Sequence, residues 1–255
     1  MDKSYYSHTT YKDAEDLKRL DFIVDSIKKL GLPNAKILDV GCGNGNISMA
    51  LGSIGFNVVG VDIDETSIQN ATKKNTFSNI QFKIIDANSF TMNDEFDAVV
   101  CSEVLEHLEV PSDLVGSIFR ILKPGGVLVA TVPNGHGPRE VLITKPMQWL
   151  HKREYDGPLL ALKKIMGYSN TTRQSSNPDL THIQFFSVSS IQKLMSDRGF
   201  KLLKFDNADF IEKIFPYSFL TRRIYFLQKL DCSVANYIPK FCTSGFYTSW
   251  TKPKN

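Results

Sequence analysis

The stretch Lys36-Ile37-Leu38-Asp39-Val40-Gly41-Cys42-Gly43-Asn44-Gly45 constrains this chain more than any other. A short apolar run closes on Asp39 and Val40 and then breaks into three glycines on alternate residues, Gly41, Gly43 and Gly45. A helix-like stretch restarts over Ile47 to Ile54. A buried strand, a tight turn and a helix start in that order bring backbone close to a small ligand, because glycine leaves no side chain in the way. The next strand-like run, Asn57-Val58-Val59-Gly60-Val61-Asp62, ends in an acid. An acid about 20 residues beyond such a turn, at the end of the second strand, suits two hydrogen bonds to a ribose diol.

The glycine pattern is G-x-G-x-G, with Asn46 where a dinucleotide turn wants its third glycine, and no G-K-[ST] follows. Nicotinamide, flavin and P-loop readings are therefore disfavoured. The string I-L-D-V-G-C-G-N-G followed by V-V-G-V-D-I resembles class I S-adenosylmethionine-dependent methyltransferases. The resemblance continues through Ile84-Ile85-Asp86-Ala87, Phe96-Asp97-Ala98-Val99-Val100-Cys101 and Leu122-Lys123-Pro124-Gly125-Gly126-Val127-Leu128. It implies an α/β fold: a doubly wound, mostly parallel seven-stranded sheet, Rossmann-like, with S-adenosylmethionine as cofactor. By position it implies that Asp39, Gly41, Cys42 and Gly43 face the amino acid end of that cofactor. Asp62 would take the ribose, Ile63 would pack on the adenine, Asp86 would accept from its amino group and Ala87 would offer an N–H.

A chain of 255 residues with 42% apolar content buries a full core and fits one domain, residues 1–255, with insertions. No apolar run approaches the roughly 18 residues of a membrane helix. The start is polar and aromatic rather than basic then apolar, so no secretory leader is expected. The four cysteines are far apart, with no C-x-x-C pair, which points to a reduced, cytoplasmic protein. The net charge of +3 conceals an asymmetry: residues 1–130 hold 12 Lys/Arg against 18 Asp/Glu, and residues 131–255 hold 18 against 9. If the first half holds the cofactor, the basic half is the natural seat of an anionic or phosphate-bearing acceptor.

Helical spacing of Leu17, Leu20, Ile23, Val24, Ile27 and Leu30 predicts an N-terminal helix within 11–30, stopped by Gly31 and Pro33. Residues 1–30 are read as a flap and helix over the cofactor, with His8 near Tyr5, Tyr6 and Tyr11. Strands are expected at 36–40, 57–62, 80–85, 96–101, 127–132 and 201–206, with helices between them. The resemblance places a last strand, 245–251, antiparallel. After Pro133 the alternation fails, and residues 134–181 are read as a cap insertion for the acceptor, basic and carrying Trp149 and Tyr155. Regularity returns where Ser187 caps a helix that Gly199 ends.

The second constellation is Glu103-Val104-Leu105-Glu106-His107, after strand four. In a helical turn the positions i, i+3 and i+4 share a face, so Glu103, Glu106 and His107 would converge as metal ligands. With His182, in His182-Ile183-Gln184-Phe185, they resemble the metal site of small-RNA 2′-O-methyltransferases. The first part also resembles the metal-assisted O-methyltransferases of ubiquinone synthesis. The resemblance implies a divalent ion, Mg²⁺ or Mn²⁺, at Glu103, Glu106, His107 and His182. The same L-E-H string also occurs in class I methyltransferases that use no metal. A sugar hydroxyl is a poor nucleophile until its proton is leaving. A cation gripping two acceptor oxygens helps that step, and so does a histidine base. His107, Glu106 and His136, the last in the turn after strand five, are the catalytic candidates.

These readings converge on an O-methyltransferase, metal-assisted, acting on a small or glycan-linked hydroxyl of an anionic acceptor such as a surface-polysaccharide precursor. An RNA 2′-O-methyltransferase is the alternative, disfavoured by the mild net charge and the lack of an RNA-binding module. A quinone-type phenol acceptor and a non-catalytic cofactor-binding protein complete the set.

Overall fold

The structure is a computed structural model that describes residues 3–86, 95–138, 140–146, 149, 182–211, 214, 217–221 and 223–254. Helix α1 (Ala14–Lys28) leads into β1 (Lys36–Val40), α2 (Asn46–Ser53), β2 (Asn57–Asp62), α3 (Glu65–Lys74) and β3 (Ile80–Ile84). Then come β4 (Phe96–Ser102), a 3₁₀ turn (Leu105–His107), α4 (Pro111–Ile121) and β5 (Leu122–Pro133). A π-helical turn (Glu140–Thr144) follows. Helix α5 (Val188–Asp197), β6 (Lys201–Asn207), α6 (Tyr217–Thr221), α7 (Tyr225–Ala235) and β7 (Gly245–Thr251) complete the order.

The strands form one sheet in the order β3-β2-β1-β4-β5-β7-β6. The pairs from β3 to β5 are parallel, and β7 is antiparallel to both β5 and β6. Alternate residues of a strand face opposite sides, so each side gathers its own core. Ile37, Val58, Ala98, Val100 and Val129 pack with Leu20, Ile23, Val24 and Ile27 of α1 and with Ala50 and Leu51 of α2. Leu38, Val40, Val99, Cys101, Leu128 and Ala130 pack with Leu114, Val115, Ile118 and Ile121 of α4 and with Ile191 and Met195 of α5. Burial of this kind contributes about 25 cal/mol per Å² of apolar surface.

The expected strands and helices appear within a few residues, with three physical refinements. Strand β5 begins at Leu122, five residues early, because Leu122 pairs with Phe96 before a register shift. Asp64 caps α3 through its side chain to the Ser67 N–H at 3.1 Å. Ser187 caps α5 in a reciprocal box with Ser190. Residues 151–181 of the expected cap lie outside the described residues.

Strand order reverses at β1, which has β2 on one side and β4 on the other, so a crevice opens at the carboxyl ends of those strands. The glycine turn lies over that crevice. Gly41, Gly43 and Gly45 have φ of 67°, 50° and 79°, a region that other residues enter at a cost. A Cβ on Gly45 would lie 2.7 Å from Phe82 Cζ and 3.0 Å from Ala71 Cβ. Gly45→Ala should therefore lower stability by roughly 2 kcal/mol or more. Urea unfolding followed by circular dichroism checks this, and an unchanged midpoint would remove the strain argument.

Candidate functional site

The glycine turn is tied to β2 by backbone. The N–H groups of Gly41 and Cys42 both donate to the Val61 carbonyl, at 2.8 and 3.0 Å. Asp62 completes the tie: its Oδ2 accepts from the Gly43 N–H at 2.8 Å and its Oδ1 from the Asp64 N–H at 2.9 Å. Each carboxylate oxygen keeps a lone pair for a diol, so the geometry fits the ribose role. Ile63, beside it, is 69% exposed, an apolar platform at the crevice edge. Asp86 is exposed at the end of β3, and β3 is tied to β2 by Ile85 N–H to the Asp62 carbonyl at 3.1 Å. Ala87 lies outside the described residues.

Asp39 is buried under the turn and accepts from Ser48 Oγ at 2.6 Å. Burial pushes its carboxyl up to about 7, and nearby Asp62 adds to the rise. A carboxylate in such a place is ionised most readily beside a cation, and the amino acid end of S-adenosylmethionine carries one. Cys42 is buried in the turn, and burial raises its thiol, so it serves as a small filler rather than a nucleophile.

The N-terminal segment covers the other end of this turn. Thr10 donates through N–H and Oγ1 to Asn46 Oδ1, at 2.9 and 3.1 Å. The His8 ring meets the Phe77 ring edge-on, with centroids 5.1 Å apart. Tyr11 is buried, and its hydroxyl has no hydrogen-bond partner among the described residues. The Arg19 guanidinium sits 5.9 Å from the Tyr11 ring. Arg19, itself buried, faces Asp16 at 2.7 Å, Glu15 at 3.7 Å and Glu103 at 3.9 Å. Sequence reasoning missed Arg19, because a lone arginine on an amphipathic helix carries no sign that it points inward.

Beyond β4 the expected helical face does not form as drawn. Glu103 has φ 57°, a left-handed conformation, so it precedes the 3₁₀ turn instead of sharing its face. Its Oε1 accepts from Thr131 Oγ1 at 2.9 Å and lies toward Arg19. Glu106, His107 and His182 do come together, with ligand atoms all within 4.8 Å of one another. The His107 and His182 rings are 5.2 Å apart. His182 is brought there by backbone: the N–H groups of Ile183 and Gln184 donate to the Glu106 carbonyl at 2.8 and 2.9 Å. Glu106 is fully buried, and neither of its carboxylate oxygens has a hydrogen bond among the described residues. Burial first, then the Glu103 charge, raises its pKa well above the carboxylate range.

A further acid joins from the segment after β5. Glu140 is buried, with Oε1 3.4 Å from His182 Nδ1. No spacing rule links Glu140 to the E-x-x-E-H string, so Glu140 was missed from sequence. His136 is exposed on its turn, held by its N–H to Asn134 Oδ1 at 3.1 Å, and is not part of the cluster. Trp149 is 53% exposed.

A switch-point crevice, a glycine turn clamped by a strand-end acid and an antiparallel seventh strand define the class I methyltransferase arrangement. A family model described as "Methyltransferase domain" matches residues 13–204, and the chain belongs to that family. A ubiquinone biosynthesis O-methyltransferase of Psychrobacter arcticus is 27% identical over 84% of this chain and 79% of its own. One from Pseudomonas fluorescens is 38% identical over 39% of this chain and 44% of its own. The magnesium protoporphyrin IX methyltransferase of Synechocystis, solved with bound S-adenosylhomocysteine, shares the fold at a TM-score of 0.55. It is 19% identical, over 93% of this chain and 84% of its own. The chain is an S-adenosylmethionine-dependent methyltransferase of class I.

Two outcomes follow. Asp62→Ala should weaken S-adenosylhomocysteine binding by about 10- to 100-fold through loss of charged hydrogen bonds. Isothermal titration checks it, and unchanged affinity would refute the ribose role. Asp39 holds its proton in the folded apoprotein and loses it near pH 4 when unfolded, so wild-type stability should fall as pH rises from about 4 to about 7. Asp39→Asn should remove that decline, up to about 4 kcal/mol, in urea unfolding across the window. Parallel pH profiles for the two proteins would count against the burial argument.

Proposed function

We propose that this methyltransferase acts on oxygen and is assisted by a divalent cation held by Glu106, His107 and His182. The observation that carries this reading is Glu106: a fully buried carboxylate with no hydrogen bond on either oxygen among the described residues, facing two imidazoles. Mixed oxygen and nitrogen donors of this kind suit Mg²⁺, Mn²⁺ or a similar ion. A cation held by these residues would polarise an acceptor oxygen and lower the pKa of the reacting hydroxyl. Glu140, whose Oε1 lies 3.4 Å from His182 Nδ1, adds a negative charge beside that ring. Glu103 supports from outside the set, fastened to Thr131.

The rest of the reaction falls to positioning. Asp62 and the glycine turn would hold the donor, which would direct its methyl group to the carboxyl edge of the sheet beside β4 and β5. The methyl carbon passes from sulfonium sulfur to acceptor oxygen in line. The sulfur becomes a neutral thioether, and the hydroxyl proton leaves to a base. With His107 and His182 committed as ligands in this reading, His136 suits that role by chemistry.

For the acceptor, the basic second half of the chain favours an anionic glycan-linked hydroxyl, with a surface-polysaccharide precursor as the type. A second reading, a phenol of the ubiquinone kind, is supported by the Psychrobacter relative, whose match runs across most of both chains. Both offer paired oxygens to a cation. The RNA reading gains no support from the relatives reported. Four free cysteines agree with a reducing, cytoplasmic setting, and no described helix is long and apolar enough to cross a membrane.

Glu106→Gln and His107→Ala should each abolish stoichiometric Mn²⁺ binding, read by titration or metal analysis. Both should leave S-adenosylhomocysteine affinity within about twofold and lower turnover by about 10²–10⁴-fold. Full activity in both variants, or metal retention in both, would overturn the reading. A panel of catechols and phosphorylated sugars then separates the two acceptor classes.

A further inference from the structure

Helix α7 is inverted relative to an ordinary surface helix. Its inner face is polar: Gln228, Asp231 and Cys232 are buried with Ala235. Gln228 Oε1 accepts from the Ala14 N–H at 3.0 Å, and its Nε2 donates to the Thr221 carbonyl at 3.0 Å. Asp231 accepts from the N–H groups of Phe210 and Ile211, at 2.8 and 3.1 Å. Lys18 Nζ reaches in to the Cys232 carbonyl at 2.9 Å and Asn236 Oδ1 at 2.8 Å. These bonds fix which side of the helix faces the body. The outer side is then apolar, with Phe226 70% exposed and Leu230 47%, and just past the helix end Tyr237 is 88% and Phe241 66% exposed. Phe219 and Leu220 of α6 are exposed beside it in the chain.

A water-facing helix places its apolar stripe inward. Here hydrogen bonds hold the stripe outward, and exposed apolar patches of this kind mark surfaces that meet something. The charges around the patch select what. From Tyr217 to Phe241 the sole acid is Asp231, and it is buried. The bases Arg223, Lys229 and Lys240 are exposed. Arg223 lies over the Phe219 ring at 4.6 Å, and Lys229 over the Tyr225 ring at 5.1 Å. Cationic heads therefore border aromatic rings. Two copies meeting symmetrically through this face would oppose basic rims to one another, which disfavours a homodimer. Aromatic and aliphatic side chains bordered by the bases Arg223, Lys229 and Lys240 complement an anionic bilayer surface, with rings at headgroup depth and bases on lipid phosphates.

We propose that the outer face of α6 and α7, with Tyr237 and Phe241, docks this enzyme reversibly on anionic membrane surfaces. The docking is peripheral and independent of which acceptor the enzyme methylates.

The test is flotation of the full chain with vesicles of equimolar phosphatidylcholine and phosphatidylglycerol. Phosphatidylcholine alone is the control, and S-adenosylhomocysteine titration reports on folding. The wild type should float with the anionic vesicles, less so as salt rises, and not with the neutral ones. Phe226→Ser/Leu230→Ser and Lys229→Glu/Lys240→Glu should each lower partitioning by at least about tenfold while keeping cofactor affinity. The proposal is overturned if the wild type stays soluble with both vesicles or floats equally with both. It is also overturned if both double variants float like the wild type, or if light scattering shows a dimer that the Phe226→Ser/Leu230→Ser variant splits.

Discussion

The Asp62 carboxylate is the fastening on which the crevice depends. It holds the Gly43 N–H with one oxygen and the Asp64 N–H with the other, so one side chain sets the turn after β1 and the start of α3 together. Two charge-assisted bonds to backbone are strong for their size. They also make the acid rigid, because its rotamer is fixed from both sides. The cofactor's ribose would thus meet an acceptor already in place, with its ordering cost met during folding. The glycines complete the arrangement: Gly41 must clear Val104 and Gly45 must clear Phe82, so the turn packs against β3 and the segment after β4 at once.

Around that fastening lies an unusual density of acids. Asp39, Glu15 and Glu106 are buried, and Glu103 is close by. Arg19 is the buried cation that faces Glu15, Asp16 and Glu103 from α1. Burying a charge is costly unless it is paired, so Arg19 explains how Glu15 is tolerated. It does not reach every acid. Asp39 and Glu106 are both displaced toward the protonated form by burial. In the reading proposed above, both lie where positive charge would arrive: the amino acid end of S-adenosylmethionine at Asp39 and a divalent cation at Glu106. Such a site waits for its ligands electrostatically, and their binding would add to the stability of the fold.

The fold was legible because its signals are local. Strand runs at 36–40 and 57–62, the alternate glycines and Asp62 are contiguous in sequence and adjacent in space, so periodicity and turn chemistry suffice. The antiparallel β7 came from family resemblance, since no local pattern states strand direction. The glycine turn and its tie to Asp62 were legible for the same local reason. The acceptor end was legible only in part. The E-x-x-E-H spacing implied a helical face, but the backbone of Glu103 turns left-handed and withdraws it toward Thr131. The structure gathers Glu106, His107 and His182 instead, through bonds of Ile183 and Gln184 to the carbonyl of Glu106, a residue far from them in sequence. Arg19 and Glu140 were not legible at all. Their roles rest on partners distant in sequence, and nothing in their own neighbourhoods records which way they point.

The basic surplus of the second half was read from sequence as a feature of the acceptor site. The cap bases Arg139, Lys152, Arg153, Lys163, Lys164 and Arg173 lie outside the described residues, and part of the remaining surplus lies on another face. Lys18, from the acidic half, is half-buried against the carboxyl end of α7, where its Nζ donates to the Cys232 carbonyl that the helix leaves open and to the Ala208 carbonyl. That bond, with Gln228 and Asp231, turns the polar side of α7 inward and its rings outward. Arg223, Lys229 and Lys240 then stand on the rim of an apolar surface rather than around the Glu106 cluster. Charge asymmetry in a sequence therefore names a sign of partner but not a location. Here the hydrogen bonds of one inverted helix separate a surface suited to phosphate headgroups from the crevice where chemistry occurs. An enzyme built this way can be anchored by one face and remain open at the carboxyl edge of its sheet. That arrangement serves an acceptor delivered from a membrane as well as one delivered from solution.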